Sequence, residues 1–512
     1  MIGLLGTDPV WCSLLVQEGV PFLTKALEQS DGAAVLIIDR VPEGPELSAV
    51  RRFVASGGSV LAWAGIGSRV WPELTTRRVR AGHIFPDQSS LFRNVGGVDL
   101  AGSLLVPTGA NYGLLRGGRP AVFAGRFGSG HAVLLPFDPA KVLAGRGSAP
   151  RVFSTRFSRP VFETVARVSR GEVRRLVANG LRFLLGARGL PYVRLSYVPG
   201  GHASAFCFRV DTDFCSSQAI HDVAEVGSRL GLTLSWFVNT GAAEGELSRL
   251  VAGPLREHDI QLHCYRHRVY HDYGRNRADI AKGVELLQAA GVRPVGIAAP
   301  YGDWNESWNR AAADAGLQYS SEFSIGYDDV PFRPVVSGNP SSLLQVPIHP
   351  VCFGRLVAAR ARPESIIAYF EQVIGIQVTR LEPCILYDHP SVLERFADQF
   401  ETVAACGLRE CGVGITMTEY ARWWVKREKT RLWVGVRGRE LELETDLDDA
   451  DTYLVAFRED QMAIVPLRNE RIGLDRLEWR THPLMSDRTI EWRAPDARVR
   501  LQEILRRRFR RC

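Results

Sequence analysis

The sequence predicts an α/β chain in which two regions of alternating strands and helices are followed by a strand-rich extension. Three observations carry that reading. Short apolar runs alternate with helically spaced segments over residues 1–145, the same rhythm returns over residues 191–424, and from residue 425 onward the runs are strand-like. Strands separated by helices imply parallel sheets covered by helices. Repetition of the unit through the second region implies a distorted (β/α) barrel, complete or partly closed.

The elements follow in order. Residues 34–38 are an apolar run ending at Asp39, and the spacing of Leu47, Val50, Phe53 and Val54 predicts a helix over 45–56. Gly57-Gly58 stops that helix, and residues 59–63 read as the next strand. Residues 122–135, broken by Gly125 and by Gly128-Ser129-Gly130, predict a hairpin that closes the first domain. Residues 146–190 change character, with Gly, Ser and Pro leading into a basic amphipathic helix at 174–185, and are expected to form a helical connector. From Pro191 the alternation predicts strands at 205–210, 233–239, 260–264 and 295–298, with helices at 221–230, 246–257 and 277–290 between them. Strands at 432–436, 440–443, 453–457 and 462–467 make residues 425–512 a β-rich extension. It ends in the arginine-rich run LRRRFRRC, expected as a solvated end, with weak contact to an anionic membrane surface as the sharper reading.

Composition excludes several classes. With 512 residues, 46% hydrophobic and 63 Lys+Arg against 56 Asp+Glu, the chain is ordinary globular material longer than one core usually holds. Its nine cysteines are odd in number and lack a C-x-x-C pair, which argues against a zinc ribbon and a disulfide framework. Apolar stretches fall far short of the roughly 20 residues a membrane span needs. The opening MIGLLGTDPVW has no basic residue before Asp8 and Pro9, so no secretory leader is expected and the expected address is the cytoplasm. The net charge of +7 is dispersed and accompanies no recognition motif, so no nucleic-acid partner is expected.

Chemistry-bearing residues cluster at strand ends in the second region. His263 and His267 lie four apart after a predicted strand, and a helical turn there places both imidazoles on one side. His271 extends the spacing by four, which leaves the pair His267 and His271 open as an alternative. Asp211-Thr212-Asp213 ends the apolar strand at 205–210; two acids two residues apart face one centre only if the strand ends between them and turns. Ala299-Pro300-Tyr301-Gly302 and Leu386-Tyr387-Asp388-His389-Pro390 end two further apolar runs. Trp236, Tyr265, Tyr270 and Trp304 lie nearby in sequence, as barrel packing or as platforms for sugar faces.

The order Asp-x-Asp, His-x-x-x-His, Pro-Tyr-Gly and Leu-x-x-His resembles the polysaccharide deacetylase (NodB-homology) family over roughly residues 200–421. The resemblance implies a metal-dependent amide hydrolase acting on C–N bonds and removing an N-acetyl group from an amino sugar in a polysaccharide or glycan precursor. It implies Asp213, His263 and His267 as ligands of Zn2+ or another divalent metal such as Co2+ or Ni2+. It also implies Asp211 as general base, the Tyr301 backbone N–H as oxyanion donor and His389 as general acid. Two departures stand out: the arginine that opens the family's third motif is replaced by Ala298, and Cys264 follows the first histidine where Ser or Thr is usual. Arg209, two residues before Asp211, is placed to face the same side and supply the missing guanidinium. The alternative is a catalytically inactive glycan-binding or scaffolding protein of polysaccharide biosynthesis.

Residues 1–145 resemble class I glutamine amidotransferase-like domains, through residues 54–60 and Gly128-Ser129-Gly130-His131 leading into residues 134–137. The active version needs a cysteine on a glycine-flanked elbow, and Cys12 lacks flanking glycines. A non-catalytic domain for assembly or ligand docking is expected, with homo-oligomer formation through it.

Overall fold

The apolar runs at Val35–Ile38 and Ser59–Trp63 are buried nearly throughout, as strands covered on both faces must be. In the computed structural model, which describes residues 1–27, 33–100, 102–447 and 449–485, they are neighbours in a seven-stranded sheet. Its order is Phe22–Leu23, Ile2–Leu4, Val35–Ile38, Ser59–Trp63, Gly130–Leu135, Pro120–Phe127, Tyr112–Leu114. The first five strands run parallel and the next two join antiparallel, so the expected hairpin at 122–135 forms but does not end the sheet, Tyr112–Leu114 lying outside it.

The chain divides into two units. Among the described residues, the first comprises those of 1–145, 168–201 and 426–484, and the second those of 146–167 and 202–425 with Met485. Residues 146–190, expected as a helical connector, are not one element. Residues 148–166 form an antiparallel hairpin, Ser148–Ser154 with Val161–Ala166, in the second unit, and helix Arg170–Gly186 belongs to the first. The hairpin's buried Val161, Glu163 and Val165 repeat every second residue, but the Gly, Ser and Pro around them masked that period. Residues 191–201, where the barrel region is expected to begin, fall in the first unit, and Tyr192–Leu195 is a strand there. It pairs antiparallel with Tyr453–Arg458 of the C-terminal strands, a pairing that leaves no local pattern in sequence.

A buried polar network ties the three segments of the first unit together. Glu18, on helix Pro9–Glu18, meets Arg174 Nη1 at 2.9 Å and accepts hydrogen bonds from the Tyr192 and Tyr197 hydroxyls at 2.7 and 2.5 Å. Arg427 donates to the carbonyls of Gln17, Glu18 and Ser196 at 3.1, 3.2 and 2.6 Å. Both arginines and Glu18 are buried, where only such multiple pairing makes charge tolerable.

The second unit carries a parallel seven-stranded sheet in the order Leu344–Gln345, Tyr319–Ser320, Gly296–Ile297, Asp259–Leu262, Ser235–Val238, Phe206–Asp211, Cys384–Asp388. The two outermost strands do not pair with each other, so the expected barrel is the partly closed form. Its core includes Phe206, Phe208, Trp236, Leu262, Trp308, Phe370 and Phe400. None of the described helices is long and apolar enough to cross a membrane. The arginine-rich run at 505–512 lies outside the described residues.

Candidate functional site

Side chains at the carboxyl ends of the second unit's strands meet in one cavity of about 230 Å³, lined by Arg209, Asp211, Asp213, His263, Tyr301 and His389 among others. Strand Phe206–Asp211 supplies the first part. Residues two apart share a face, and Arg209 reaches Asp211 with both edges of its fork, Nε to Oδ1 at 2.6 Å and Nη2 to Oδ2 at 2.5 Å. The remaining terminal nitrogen donates to Ser321 O at 2.8 Å and Oγ at 3.0 Å. Burial raises the Asp211 pKa, but the Arg209 guanidinium and then His263 outweigh it and hold the carboxyl below its ordinary value.

The strand ends at Asp211, and Thr212 is tied to the neighbouring strand by its N–H to Phe237 O at 3.0 Å and by its hydroxyl, which accepts from Asn239 N at 2.9 Å. Asp213 then takes the left-handed conformation, φ 45°. That turn brings the second acid back to the cavity that the first one lines. Cys264 (φ 62°), His267 (φ 50°) and Tyr301 (φ 60°) share this costly backbone state, a concentration of strain around one site.

His263 follows strand Asp259–Leu262, while the segment after it is a bend and not the helical turn expected. The bend is held by Asp279 of helix Tyr273–Ala289, whose carboxylate accepts from Tyr265 N at 3.1 Å and Arg266 N at 3.0 Å. A Cβ on Gly241 would stand 2.1 Å from Tyr265 O, so only glycine admits this approach. His263 Nε2 and His267 Nε2 both point at Asp213 Oδ1, at 3.0 and 2.8 Å. His271 is exposed and outside this cluster, which removes the His267/His271 alternative.

The donor set fits a small cation. His263 Nδ1 lies 2.9 Å from Ala298 O, which fixes the proton on Nδ1 and leaves Nε2 as a lone-pair donor facing a carboxylate oxygen. Nitrogen and oxygen acceptors converging at this spacing are satisfied by one shared divalent ion. Burial would raise the Asp213 carboxyl, but the imidazoles of His263 and His267 at its oxygen, followed by His389, hold it well below the usual range.

Tyr301 sits in the turn Pro300–Gly302, its ring edge-on to His267 with centroids 5.2 Å apart. Glu322, which sequence reasoning passed over, accepts from Ala299 N at 3.1 Å and steadies that turn; burial lifts its pKa to about 7. His389 follows strand Cys384–Asp388, with Nδ1 3.2 Å from Asp388 Oδ1 and Nε2 3.5 Å from Asp213 Oδ2. Burial would lower the His389 pKa, yet Asp388, Cys352 and Asp213 together raise it well above the ordinary imidazole value. Trp236, Tyr265, Tyr270 and Trp304 are not among the residues that line the cavity, and Trp236 is fully buried in the core.

Residues 212–320 match the polysaccharide deacetylase family model, a span containing Asp213, His263, His267 and Tyr301. No curated protein sequence matches the chain at a significant level. Among solved structures, a Mycobacterium smegmatis protein assigned to the polysaccharide deacetylases is 19% identical, with 45% of this chain and 93% of that one covered and a TM-score of 0.39. A family 4 carbohydrate esterase from Streptomyces lividans is 16% identical, covering 41% and 91%, with a TM-score of 0.29. A CE4 family pseudoenzyme from Bacillus anthracis is 13% identical, covering 43% and 65%, with a TM-score of 0.31.

Proposed function

We propose that this chain is a metal-dependent amide hydrolase that removes an N-acetyl group from an amino sugar in a polysaccharide or glycan precursor. The observation that carries the reading is the convergence of Asp213, His263 and His267 beside an Asp211 gripped by Arg209. Bound by those three ligands, a divalent ion such as zinc, cobalt or nickel would supply Lewis acidity toward water and the scissile carbonyl. Asp211 accepts the proton of the attacking water, kept ionised and aimed by Arg209. The Tyr301 backbone N–H donates to the oxygen that gains charge. His389, oriented through Nδ1 by Asp388, donates a proton to the departing amine.

The second reading, an inactive glycan-binding protein, is favoured by Ala298 in the arginine position. Arg209 weighs against it, since its two-point grip on Asp211 supplies a guanidinium from another strand. Elemental analysis of purified protein separates the readings when combined with acetate release from N-acetylated glycans. Stoichiometric metal and acetate release support the hydrolase; metal-free, inert protein after zinc addition leaves glycan binding.

For the first unit the proposal is an amidotransferase-like, non-catalytic domain that mediates self-association in the cytoplasm. Cys12 lies within helix Pro9–Glu18, and burial, then Asp39 and Asp8, push its thiol pKa up, away from nucleophilic use. Glutaminase activity that disappears in Cys12→Ala would overturn this.

A further inference from the structure

Arg355, on helix Phe353–Ala358, lines the same cavity as Asp213, His263 and His389. Its Nη2 forms an ion pair with Glu163 of strand Val161–Ala166. The Glu163 side chain is 1% exposed and that of Arg355 18%, so the pair is anchored at its carboxylate end and opens at its guanidinium end. Phe323 and Tyr387, with ring centroids 6.1 Å apart, add an apolar wall to this cavity.

The proposed hydrolysis leaves this cation without a task. Arg209 already holds Asp211, and His389 is already paired with Asp388. Charge placed in a cavity wall is costly to desolvate, and a guanidinium is the side chain best shaped to receive a carboxylate through parallel N–H groups. Glu163 meets a terminal nitrogen of Arg355, and a guanidinium carries five N–H donors, more than one carboxylate can take up.

We infer that Arg355 is a specificity-determining residue that selects substrates carrying a carboxylate in addition to the scissile amide. The inference rests on the hydrolase reading for the identity of the scissile group, and on the Glu163–Arg355 geometry for the acidic one.

The test uses full-length, metal-loaded protein and N-acetylated amino sugars that are neutral, or acidic at C6, or acidic at C3. Acetate release is measured for each, and calorimetry measures binding of the corresponding deacetylated amines, which cannot react. A charge-assisted contact predicts a preference of about tenfold or more for one acid in both assays. That ratio falls toward unity in Arg355→Gln and is partly kept in Arg355→Lys, with both variants checked for unaltered melting. Equal handling of neutral and acidic sugars overturns the inference while acetate release leaves the hydrolase reading standing. A preference that survives in Arg355→Gln also overturns it and makes Arg355 a structural partner of Glu163. Acid-selective binding that depends on Arg355, with no acetate from any sugar, keeps the carboxylate contact and removes the hydrolase reading.

Discussion

The seven-stranded sheets of the two units place polar residues at the same topological position, the carboxyl ends of their parallel strands, and use them in opposite ways. In the first unit, Asp39 follows strand Val35–Ile38 and spends both oxygens on backbone, accepting from Gly6 N at 2.7 Å and Asp8 N at 3.1 Å. Asp8 caps its helix through Val10 N and Trp11 N, and Asp138 caps helix Pro139–Leu143 through Ala140 N and Lys141 N. In the second unit the corresponding side chains address one another: Arg209 with Asp211, and Asp213 with His263, His267 and His389. A carboxylate satisfied by backbone N–H groups stabilises the loops that carry them; one satisfied by other side chains can exchange those partners for a cation or a substrate. The crevice at strand ends is available in both sheets, and the choice of partner separates scaffold from site.

This contrast can be broken, most severely at the convergent ligands. Asp213→Ala and His263→Ala are expected to abolish metal retention by elemental analysis and to lower acetate release about 10³-fold or more. Arg209→Ala comes next, because it strands a buried carboxylate: a loss of about 3–5 kcal/mol in urea unfolding is expected, with hydrolysis lost as well. Unchanged turnover in that variant would show that Arg209 does not replace the missing motif arginine. Asp279→Asn, which keeps only one good acceptor for the bend, should weaken metal binding by about 10–100-fold in competition with a chelator. The smallest effect belongs to the first unit. Asp39→Ala should cost about 1 kcal/mol of stability in thermal unfolding and leave acetate release as it was, since its hydrogen bonds go to the backbone of Gly6 and Asp8 in the first unit.

Much of this site was legible because strand ends announce themselves. The apolar run Phe206–Val210 gives way to Asp211, and the run at 384–387 to Asp388 and His389, so strand pattern, residue type and motif order together pointed to the crevice. The same-face rule for residues two apart placed Arg209 with Asp211. What periodicity could not supply were partners brought in by tertiary structure. Asp279 lies on an ordinary amphipathic helix and acts through backbone N–H groups of a bend 13 and 14 residues away. Glu163 sits in a hairpin whose sequence reads as a linker, yet it meets Arg355 across the second unit. Strand Tyr192–Leu195 carries no mark of its pairing with residues 454–457. The turn at Asp213 was required by the argument about alternating faces, but its left-handed backbone is favoured by no residue-type signal beyond the tolerance of aspartate.

The network around Glu18 also sets an order of events during synthesis. Glu18 and Arg427 are 409 positions apart, and the intervening chain contains residues 202–425 of the second unit. The first unit therefore starts to emerge before residues 202–425 but cannot be completed until Arg427 has followed them. Residues 202–425, a contiguous stretch holding the whole seven-stranded parallel sheet, are free to fold meanwhile. Truncation before Arg427 is then a lesion of the amino-terminal half, leaving Glu18 and the carbonyls beside it to wait for a clasp that never arrives.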